Sequence, residues 1–300
     1  DVFVVPGTQS GLSSVFRSLA GPGHTVIMES PTYWGAILAA KLAGVRIVPV
    51  TSDSGGPDPE DLERAFDESG ARVFYAQPTF ANPTGAQWSQ ERRDRVLAVV
   101  REHGAFLVED DWAHDFAIDG DAVPMAAYDD PGHVVYIRSL TKSVSPAVRI
   151  GAVIARGPVR ERLLADRSAE SMYVSGVLQT AALEVVLQPG WRTHLRGLRG
   201  QLRERADLLA PSVAEHMPTA ALDRLPRGGL NLWVRLPDGV DVERLARACE
   251  AEGVLIAAGT EWFPSDPSGP FVRLNFAGPD PSRFPDATRI IGEVLRSQLL

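Results

Sequence analysis

The sequence is poor in cysteine and lacks any long apolar run. Its one cysteine, Cys249, excludes an internal disulfide framework and a multi-cysteine metal site, and its place in the amphipathic stretch 242–252 favours a buried packing role. No run approaches the roughly 18 consecutive apolar residues that span a membrane. The first residues also lack the basic-then-apolar order of a signal peptide. We therefore expect a soluble, cytoplasmic protein.

Positive charge is also scarce, because the net charge of the 300 residues is -8. A general nucleic-acid binder needs an excess of lysine and arginine to neutralise phosphates, so we expect any DNA binding to come from a segment outside this sequence. The first residue is not methionine and the chain opens in an apolar run, which predicts that the N-terminal part of a longer polypeptide is missing. With 44% hydrophobic and 23% charged residues, the composition is that of a globular protein of one or two domains.

Lysine is nearly absent, since only Lys41 and Lys142 occur and arginine supplies the other positive charges. A generic surface cation in this sequence would therefore be an arginine. Lysine differs from arginine in that its amine can lose a proton and condense with a carbonyl group to give a Schiff base. Lys142 is thus either a covalent anchor or an accidental surface lysine.

Short apolar, β-branched runs alternate with helical patterns over the first half of the chain. This rhythm predicts a mostly parallel sheet between helices, with binding sites at the carboxyl ends of the strands. The seven runs predicted as strands are 2–5, 25–28, 46–50, 73–76, 106–108, 134–137 and 152–155.

The second half has a different pattern. Residues 175–217 are helical, with an interruption at Pro189-Gly190. Strands are predicted at 230–234, 254–256 and 271–276, with helices at 242–252 and 285–300. We therefore predict an α/β fold with a large domain over residues 1–190 and a smaller C-terminal α+β domain over residues 191–300.

Two polar motifs follow predicted strands. Residues 6–11, Pro-Gly-Thr-Gln-Ser-Gly, open a helix, and its free N–H groups favour an anion such as a phosphate. An ordinary helix start with Thr8 or Ser10 as the N-cap is the alternative. Residues 82–85, Asn-Pro-Thr-Gly, form either a plain turn or a turn that presents the Asn82 amide to a ligand oxygen.

Three acids, Glu109, Asp110 and Asp111, stand where an apolar strand ends. Burying them is costly unless a carboxylate meets a cation, so we expect a partner for Asp110 or Asp111, with a magnesium site as the rival explanation. Around Lys142, the donors Ser139, Thr141 and Arg149 suit a phosphate. A ligand with a phosphate, a ring cation, a hydroxyl and an aldehyde would satisfy these motifs together, and pyridoxal 5'-phosphate has all four groups.

The order and spacing of these motifs resemble those of the fold type I, class I/II aminotransferases over the whole chain. The motifs that carry the resemblance are residues 7–12, 30–33, 82–85, 109–111, 139–142, 149–151 and 273–276. Within that group, residues 109–116 look most like the aminotransferase-like domain of MocR-type regulators, in which a GntR-like winged-helix DNA-binding domain precedes this fold.

The resemblance implies a role for each matching residue. Lys142 would form the Schiff base and Asp110 would pair with the protonated pyridine nitrogen; both would be catalytic. The other implied cofactor contacts are Asn82 to the ring hydroxyl, Tyr33 on the ring face, and Thr8, Gln9, Ser139, Thr141 and Arg149 to the phosphate. Arg273 would grip the substrate α-carboxylate, although a surface strand arginine is the alternative, and the Asn82-Pro83 bond would often be cis.

Trp112 departs from the family pattern, in which a tyrosine donates to the cofactor hydroxyl. An indole N–H can donate but cannot accept. Trp112 is therefore either a replacement donor or simple aromatic packing at the cofactor edge.

The sequence leaves three hypotheses for the activity. The first is a ping-pong aminotransferase that acts on an amino acid through Lys142 and Asp110. The second is a sensor domain of a MocR-type (GntR family) transcription regulator that binds pyridoxal phosphate and an effector with little turnover, and the third is a β-lyase or decarboxylase. The resemblance further implies a homodimer. Residues around Trp34, Trp112, His114 and Trp262 predict a cavity for an apolar or aromatic amino acid.

Overall fold

The computed structural model describes residues 2–120, 123–129, 131–170 and 173–299. Within these residues the chain forms eleven strands and nine α-helices. The strands are β1 (Val2–Val5), β2 (Thr25–Ser30), β3 (Arg46–Asp53), β4 (Gly56–Pro57), β5 (Val73–Ala76), β6 (Phe106–Asp111), β7 (Val134–Ser139), β8 (Gly151–Ile154), β9 (Asn231–Arg235), β10 (Ala257–Ala258) and β11 (Phe271–Asn275). The helices are α1 (Thr8–Leu19), α2 (Trp34–Leu42), α3 (Pro59–Ser69), α4 (Gln90–Glu102), α5 (Gly157–Glu170), α6 (Gly176–Val186), α7 (Trp191–His216), α8 (Val242–Ala251) and α9 (Phe284–Leu299).

Eight of the described strands form one sheet in the order β1-β8-β7-β6-β5-β2-β3-β4. The central strands β7, β6, β5, β2 and β3 are parallel, while β8 is antiparallel to both of its neighbours. All seven strands predicted for this half are confirmed, and the eighth is the two-residue strand β4, which pairs antiparallel with β3. The mostly parallel α/β fold is thus confirmed.

The central strands β2, β5, β6 and β7 are buried on both faces, which explains why they are apolar over most of their length. Val26 and Met28 pack with α1, α2 and α5, whereas Ile27, between them, packs with α3 and α4 on the opposite face. Successive side chains of a strand point to opposite faces of the sheet. A strand that is covered on both faces therefore has apolar residues at successive positions and does not alternate between apolar and polar residues. Polar residues of the central strands lie at the strand ends, and some of them line the cavity described below.

The second half of the chain builds a three-stranded antiparallel sheet in the order β10-β11-β9, packed against α7, α8 and α9. Cys249 lies fully buried in this core, as expected. The strand predicted at 254–256 is wrong, because Val254 donates its N–H to the Cys249 carbonyl and so closes α8, and the strand begins only at Ala257. Helix α7 connects the two halves, and the domain boundary at residue 190 remains a prediction.

Candidate active site

A cavity of about 270 Å³ lies at the carboxyl ends of β5, β6 and β7, against the three-stranded sheet. This is the edge at which parallel sheets bind ligands. Its walls are formed by Thr8, Tyr33, Trp34, Gln77, Asn82, Asp110, Trp112, Ser139, Lys142, Leu230, Asn231, Arg273 and Asn275. Eight of the eleven residues named as site candidates from the sequence therefore meet here; Gln9, Thr141 and Arg149 lie outside this wall.

The three acids at the end of β6 are all buried, and each carboxylate has partners within the protein. Glu109 accepts from the backbone N–H groups of Met125 and Ala126, at 2.9 and 3.1 Å. Asp111 accepts from the Tyr136 hydroxyl through Oδ2, which also lies 2.7 Å from the Nδ1 atom of His114. Glu109 is thus held through both of its oxygens and Asp111 through Oδ2, while Asp111 Oδ1 is buried without a partner among the described residues. Neither acid lines the cavity.

Asp110 is the one acid of the three that lines the cavity. The Tyr75 hydroxyl and the Gln77 Nε2 atom both donate to Oδ2, at 2.7 and 2.9 Å. Oδ1 is buried and has no hydrogen-bond partner among the described residues. Burial raises the pKa of Asp110 to about 6, although the bonds from Tyr75 and Gln77 oppose this rise. An unpaired, buried carboxylate oxygen in a cavity wall fits a ligand that brings an N–H donor or a positive charge.

Asn82 connects the two sheets. Its backbone N–H donates to the Oε1 atom of Gln77 at 2.8 Å, and its side-chain oxygen accepts from Arg273 Nη1 and Trp262 Nε1, each at 3.2 Å. The Asn82-Pro83 bond is cis, as expected. Because Oδ1 already accepts from these two donors, the Asn82 side-chain nitrogen is the atom that can donate a hydrogen bond to a ligand.

Arg273 projects from β11 into the same cavity. Its guanidinium carbon lies 4.7 Å from the centre of the Trp262 ring, and its Nε atom is buried with no partner among the described residues. Burial lowers the pKa of Arg273 from its ordinary value. Arg273 is thus a partly desolvated cation suited to an incoming carboxylate. Its position in the cavity wall speaks against the alternative of an ordinary surface arginine.

The residues expected to hold a phosphate gather around the start of α1. Thr8 is the first residue of this helix, so its first turn offers free N–H groups. The Arg149 guanidinium lies directly against Gly7, whose φ of +85° is a conformation that glycine adopts more readily than other residues. Ser139 ends β7, and Thr141 donates to the Ile150 carbonyl at 3.4 Å. Gln9 instead donates to the Gly35 carbonyl at 2.6 Å and accepts from the Tyr33 hydroxyl at 3.3 Å, which directs it toward the tyrosine.

Trp112 forms part of the cavity wall, but its single donor is already used. The indole N–H donates to the Phe80 carbonyl at 3.1 Å. This arrangement favours the packing role over that of a replacement donor. Of the other residues expected to line the cavity, Trp34 does so, whereas His114 contacts Asp111 and Trp262 contacts Asn82 and Arg273.

The sequence reasoning missed Tyr75, Gln77, Leu230, Asn231 and Asn275. Gln77 and Asn231 carried a usable signal, because each is a polar residue at a buried strand position or strand end. Tyr75 had none, since a tyrosine in a buried strand is ordinary core. Among the described residues there is no group of three or more histidine, cysteine, aspartate or glutamate side chains that could hold a metal ion.

The family model described as "Aminotransferase class I and II" matches residues 1–291, so the chain belongs to this family. The chain is 30% identical over 278 residues to the "HTH-type transcriptional regulator YdfD" of Bacillus subtilis, covering 92% of this chain and 57% of the relative. It is 29% identical over 281 residues to a Rhizobium meliloti protein described as "Probable rhizopine catabolism regulatory protein MocR", covering 93% and 56%. The chain thus spans slightly more than half the length of these regulators.

The fold is also that of a solved aminotransferase. The α-aminoadipate aminotransferase LysN of Thermus thermophilus, complexed with N-(5'-phosphopyridoxyl)-L-leucine, superposes with a TM-score of 0.91 at 28% identity, covering 99% of this chain and 77% of that one. The resemblance to MocR-type and aminotransferase chains is confirmed, and so is pyridoxal 5'-phosphate as the cofactor. The free oxygen of Asp110, the amine of Lys142 and the start of α1 in one cavity fit its ring nitrogen, aldehyde and phosphate.

No described helix has both the length and the hydropathy needed to cross a membrane.

Proposed function

We propose that the chain is the catalytic part of a pyridoxal-phosphate-dependent aminotransferase that acts on an amino acid. The observation that carries this proposal is the unpaired Oδ1 of Asp110 in the cavity that also holds Lys142 and Arg273. A carboxylate for the ring nitrogen, an amine for the aldehyde and a guanidinium for the substrate carboxylate are the three groups that transamination of an amino acid requires.

Lys142 and Asp110 are the proposed catalytic residues. The cofactor, when bound, withdraws electrons from the substrate Cα and so makes its proton removable. Asp110 keeps the ring nitrogen protonated, which sustains that withdrawal. Lys142 would hold the aldehyde of the cofactor, and its amine, when not so engaged, would move the proton at the substrate Cα as general base and general acid.

The remaining residues bind and orient. Thr8, Ser139, Thr141 and Arg149 hold the phosphate at the start of α1, while Tyr33 lies on the ring and Gln9 supports the Tyr33 hydroxyl. Asn82 donates its amide to the ring hydroxyl, and Trp112 packs at the ring edge. Arg273 binds the substrate carboxylate, and Trp34, Trp112 and Leu230 provide an apolar wall for an uncharged side chain.

An amino-acid screen on the full-length protein tests this function. After loading with pyridoxal phosphate, each amino acid is added without a keto acid, and conversion of the cofactor to its pyridoxamine form is followed by absorbance. At least one amino acid is expected to convert the cofactor stoichiometrically, and a keto acid added afterwards should reverse the change. No conversion with any amino acid would contradict an aminotransferase.

Substitution of the two lysines tests the anchor directly. Lys142→Ala is expected to abolish the visible absorbance of the covalently held cofactor. Lys41→Ala, which removes the other lysine from the exposed face of α2, is the matched control and should leave that absorbance unchanged. Retention of the band in Lys142→Ala would remove the basis of the proposed function.

A second candidate function is the effector-sensing domain of a MocR-type regulator. The observation that supports it is the match to two regulators that extend well beyond this chain. In that case, a basic winged-helix segment would be encoded upstream of Asp1, and amino acids would change the cofactor absorbance without releasing a keto acid. Sequencing upstream and assaying keto-acid release distinguish the two functions, and any DNA contact would belong to that upstream segment. Cytoplasmic location remains a prediction.

We also propose a homodimer. Helix α6 exposes Val177 and Leu183 by 79% and 54%, Leu187 directly after it is 69% exposed, and α2 exposes Leu42 by 86%. Large apolar side chains that are exposed on helices are compatible with an interface. Sedimentation of the full-length protein at micromolar concentration should give twice the monomer mass. A monomer under these conditions would contradict this part of the proposal.

A further inference from the structure

Gln77 contacts two proposed site residues through the two ends of one side-chain amide. Its Nε2 atom donates to Asp110 Oδ2 at 2.9 Å, and its Oε1 atom accepts from the Asn82 N–H at 2.8 Å. A backbone N–H can only donate, so the orientation of the amide is fixed. Gln77 directly follows the carboxyl end of β5 and is 1% exposed.

The backbone of Gln77 is anchored as well. Its N–H donates to the buried Glu29 carboxylate at 2.8 Å, and Glu29 also accepts from the Ser52 hydroxyl at 2.9 Å. Gln77 therefore has a fixed main chain and a side chain engaged at both ends. Gln77 therefore fixes the positions of Asp110 and Asn82 relative to each other, because neither residue can move without breaking a buried hydrogen bond.

We propose that Gln77 is the positioning residue that sets Asp110 and Asn82 relative to each other, and so aligns the cofactor-binding edge of the large sheet with Arg273. The proposal rests on the aminotransferase function above. Asn82 forms the next link, since its side-chain oxygen accepts from Arg273. A continuous path of hydrogen bonds thus runs from the ring-nitrogen partner Asp110, through Gln77 and Asn82, to the arginine that would bind substrate.

Tyr75 offers a matched comparison. Its hydroxyl donates to the same oxygen of Asp110, at 2.7 Å, and takes no part in the path to Asn82. Tyr75→Phe therefore removes one donor to Asp110 and leaves the path to Arg273 intact. Gln77→Leu removes a donor and the path together. Gln77→Glu keeps an acceptor for the Asn82 N–H but replaces the donor to Asp110 by a second carboxylate that faces it.

Two binding constants distinguish these variants. The first is the Kd of the full-length apoprotein for pyridoxal phosphate, and the second is the Kd of the loaded protein for an amino acid, each measured by absorbance. We expect Gln77→Leu, Gln77→Glu and Tyr75→Phe each to weaken cofactor binding by about tenfold or more, because a hydrogen bond to a charged group is lost. Only Gln77→Leu should also weaken amino-acid binding, by about tenfold, because a lost hydrogen bond of this kind changes an equilibrium by roughly that factor.

Two further measurements exclude a purely structural role. The pH midpoint of the visible absorption of the bound cofactor should shift in both Gln77 variants, and the Tm of the apoproteins shows whether they fold. If Gln77→Leu lowers the Tm while both binding constants and the pH midpoint stay close to those of wild type, Gln77 is packing only and the proposal is overturned. If Gln77→Leu does not fold, equal cofactor binding by Gln77→Glu and wild type overturns it.

The outcome is separable from that of the proposed function. Cofactor binding by the apoprotein is measured before any amino acid is added, so it applies to an enzyme and to a sensor alike. Failure of the wild-type protein to bind pyridoxal phosphate would contradict the proposed function. Normal wild-type binding with unchanged Gln77 variants would contradict only the role of Gln77.

Discussion

The two sheets that meet at the cavity hold their polar groups differently. On the eight-stranded side, the buried carboxylates of Glu29, Glu109, Asp110 and Asp111 each have two hydrogen-bond partners, although the Oδ1 atoms of Asp110 and Asp111 have none among the described residues. On the three-stranded side, Arg273 donates to Asn82 at 3.2 Å, while its Nε atom and the Asn231 Oδ1 atom are buried without a partner among the described residues. The first side is therefore held in position by the protein, while the second is held by fewer bonds.

This difference matches what each side is proposed to bind. A cofactor that remains in place benefits from groups already held in position, because no reorganisation is needed when it reacts. A substrate that enters and leaves must supply the missing partners itself. Unpaired polar atoms on the substrate side make binding selective, since a ligand without the right group leaves them unpaired.

We expect the largest effects on the kinetics from substitutions that alter one side of the cavity at a time. Asp110→Asn removes the charge that keeps the ring nitrogen protonated and should lower kcat by about 10²-fold or more. Arg273→Lys keeps the charge but loses the planar fork, so it should raise KM about tenfold or more while the cofactor absorbance stays normal. Steady-state kinetics with one amino acid and the spectrum of each loaded variant measure both effects.

The matched control for Asp110→Asn is Asp111→Asn, one position along the same strand end. Asp111 is held by Tyr136 and His114 and does not line the cavity, so its substitution should affect Tm more than the spectrum of the bound cofactor. A normal kcat in Asp110→Asn, or a change of the cofactor spectrum in Arg273→Lys as large as that in Asp110→Asn, would contradict the division between the two sides.

A smaller effect concerns the pH dependence of stability on the cofactor side. Burial raises the pKa of Glu29 from 4.5 to about 7. Because the folded state holds this proton more tightly than the unfolded state, the contribution of Glu29 to stability is complete below about pH 4.5 and is lost as the pH rises through 7. Between these values, the free energy of unfolding of wild type should fall relative to that of Glu29→Gln.

Chemical denaturation of both proteins at several pH values across this window measures the difference. Glu91→Gln, an exposed substitution on the first turn of α4, should follow the wild-type pH profile and serves as the control. A difference between wild type and Glu29→Gln that does not change with pH would mean that Glu29 is ionised throughout this range.

The sequence predicts the cofactor side better than the substrate side. Asn82, Asp110 and Lys142 could be predicted because polar residues directly follow apolar strand runs, and parallel strands bring their ends to one edge. The hydrogen bonds of these residues could not be predicted, although Gln77 is recognisable in the sequence as a polar residue directly after an apolar strand run. Tyr75 and Gln77 reach Asp110 across 35 and 33 residues of sequence, and Trp112 bonds to a carbonyl that Phe80 presents from a left-handed backbone conformation, φ +51°.

On the substrate side, the error at residues 254–256 has the same origin. The apolar residues at 254–256 are compatible with a strand. However, Gly253, at φ +81°, follows the end of α8 and directs the Val254 N–H to the Cys249 carbonyl of that helix. The signal at Asn231 is weak, because a single polar residue within an apolar run is compatible with an ordinary strand. Whether Asn231 lies near the cavity depends on the register of β9 against β11. This register places Asn231 opposite Asn275 and two residues from the Trp233–Arg273 pair.

The smallest predicted effect concerns Asn231, which is 6% exposed. Asn231→Leu removes a buried, unpaired amide oxygen and replaces it with an apolar group of similar size, so the free energy of unfolding should stay within about 1 kcal/mol of wild type or rise. The same substitution should reduce the preference for amino acids with a side-chain donor over their apolar isosteres, measured as a ratio of kcat/KM.

Asn275→Leu provides the comparison, because the Asn275 oxygen already accepts from the Ala277 N–H at 2.6 Å and its loss should destabilise the protein. If Asn231→Leu is instead the more destabilising of the two, the Asn231 oxygen has a partner in solution, and the substrate side is as well paired as the cofactor side.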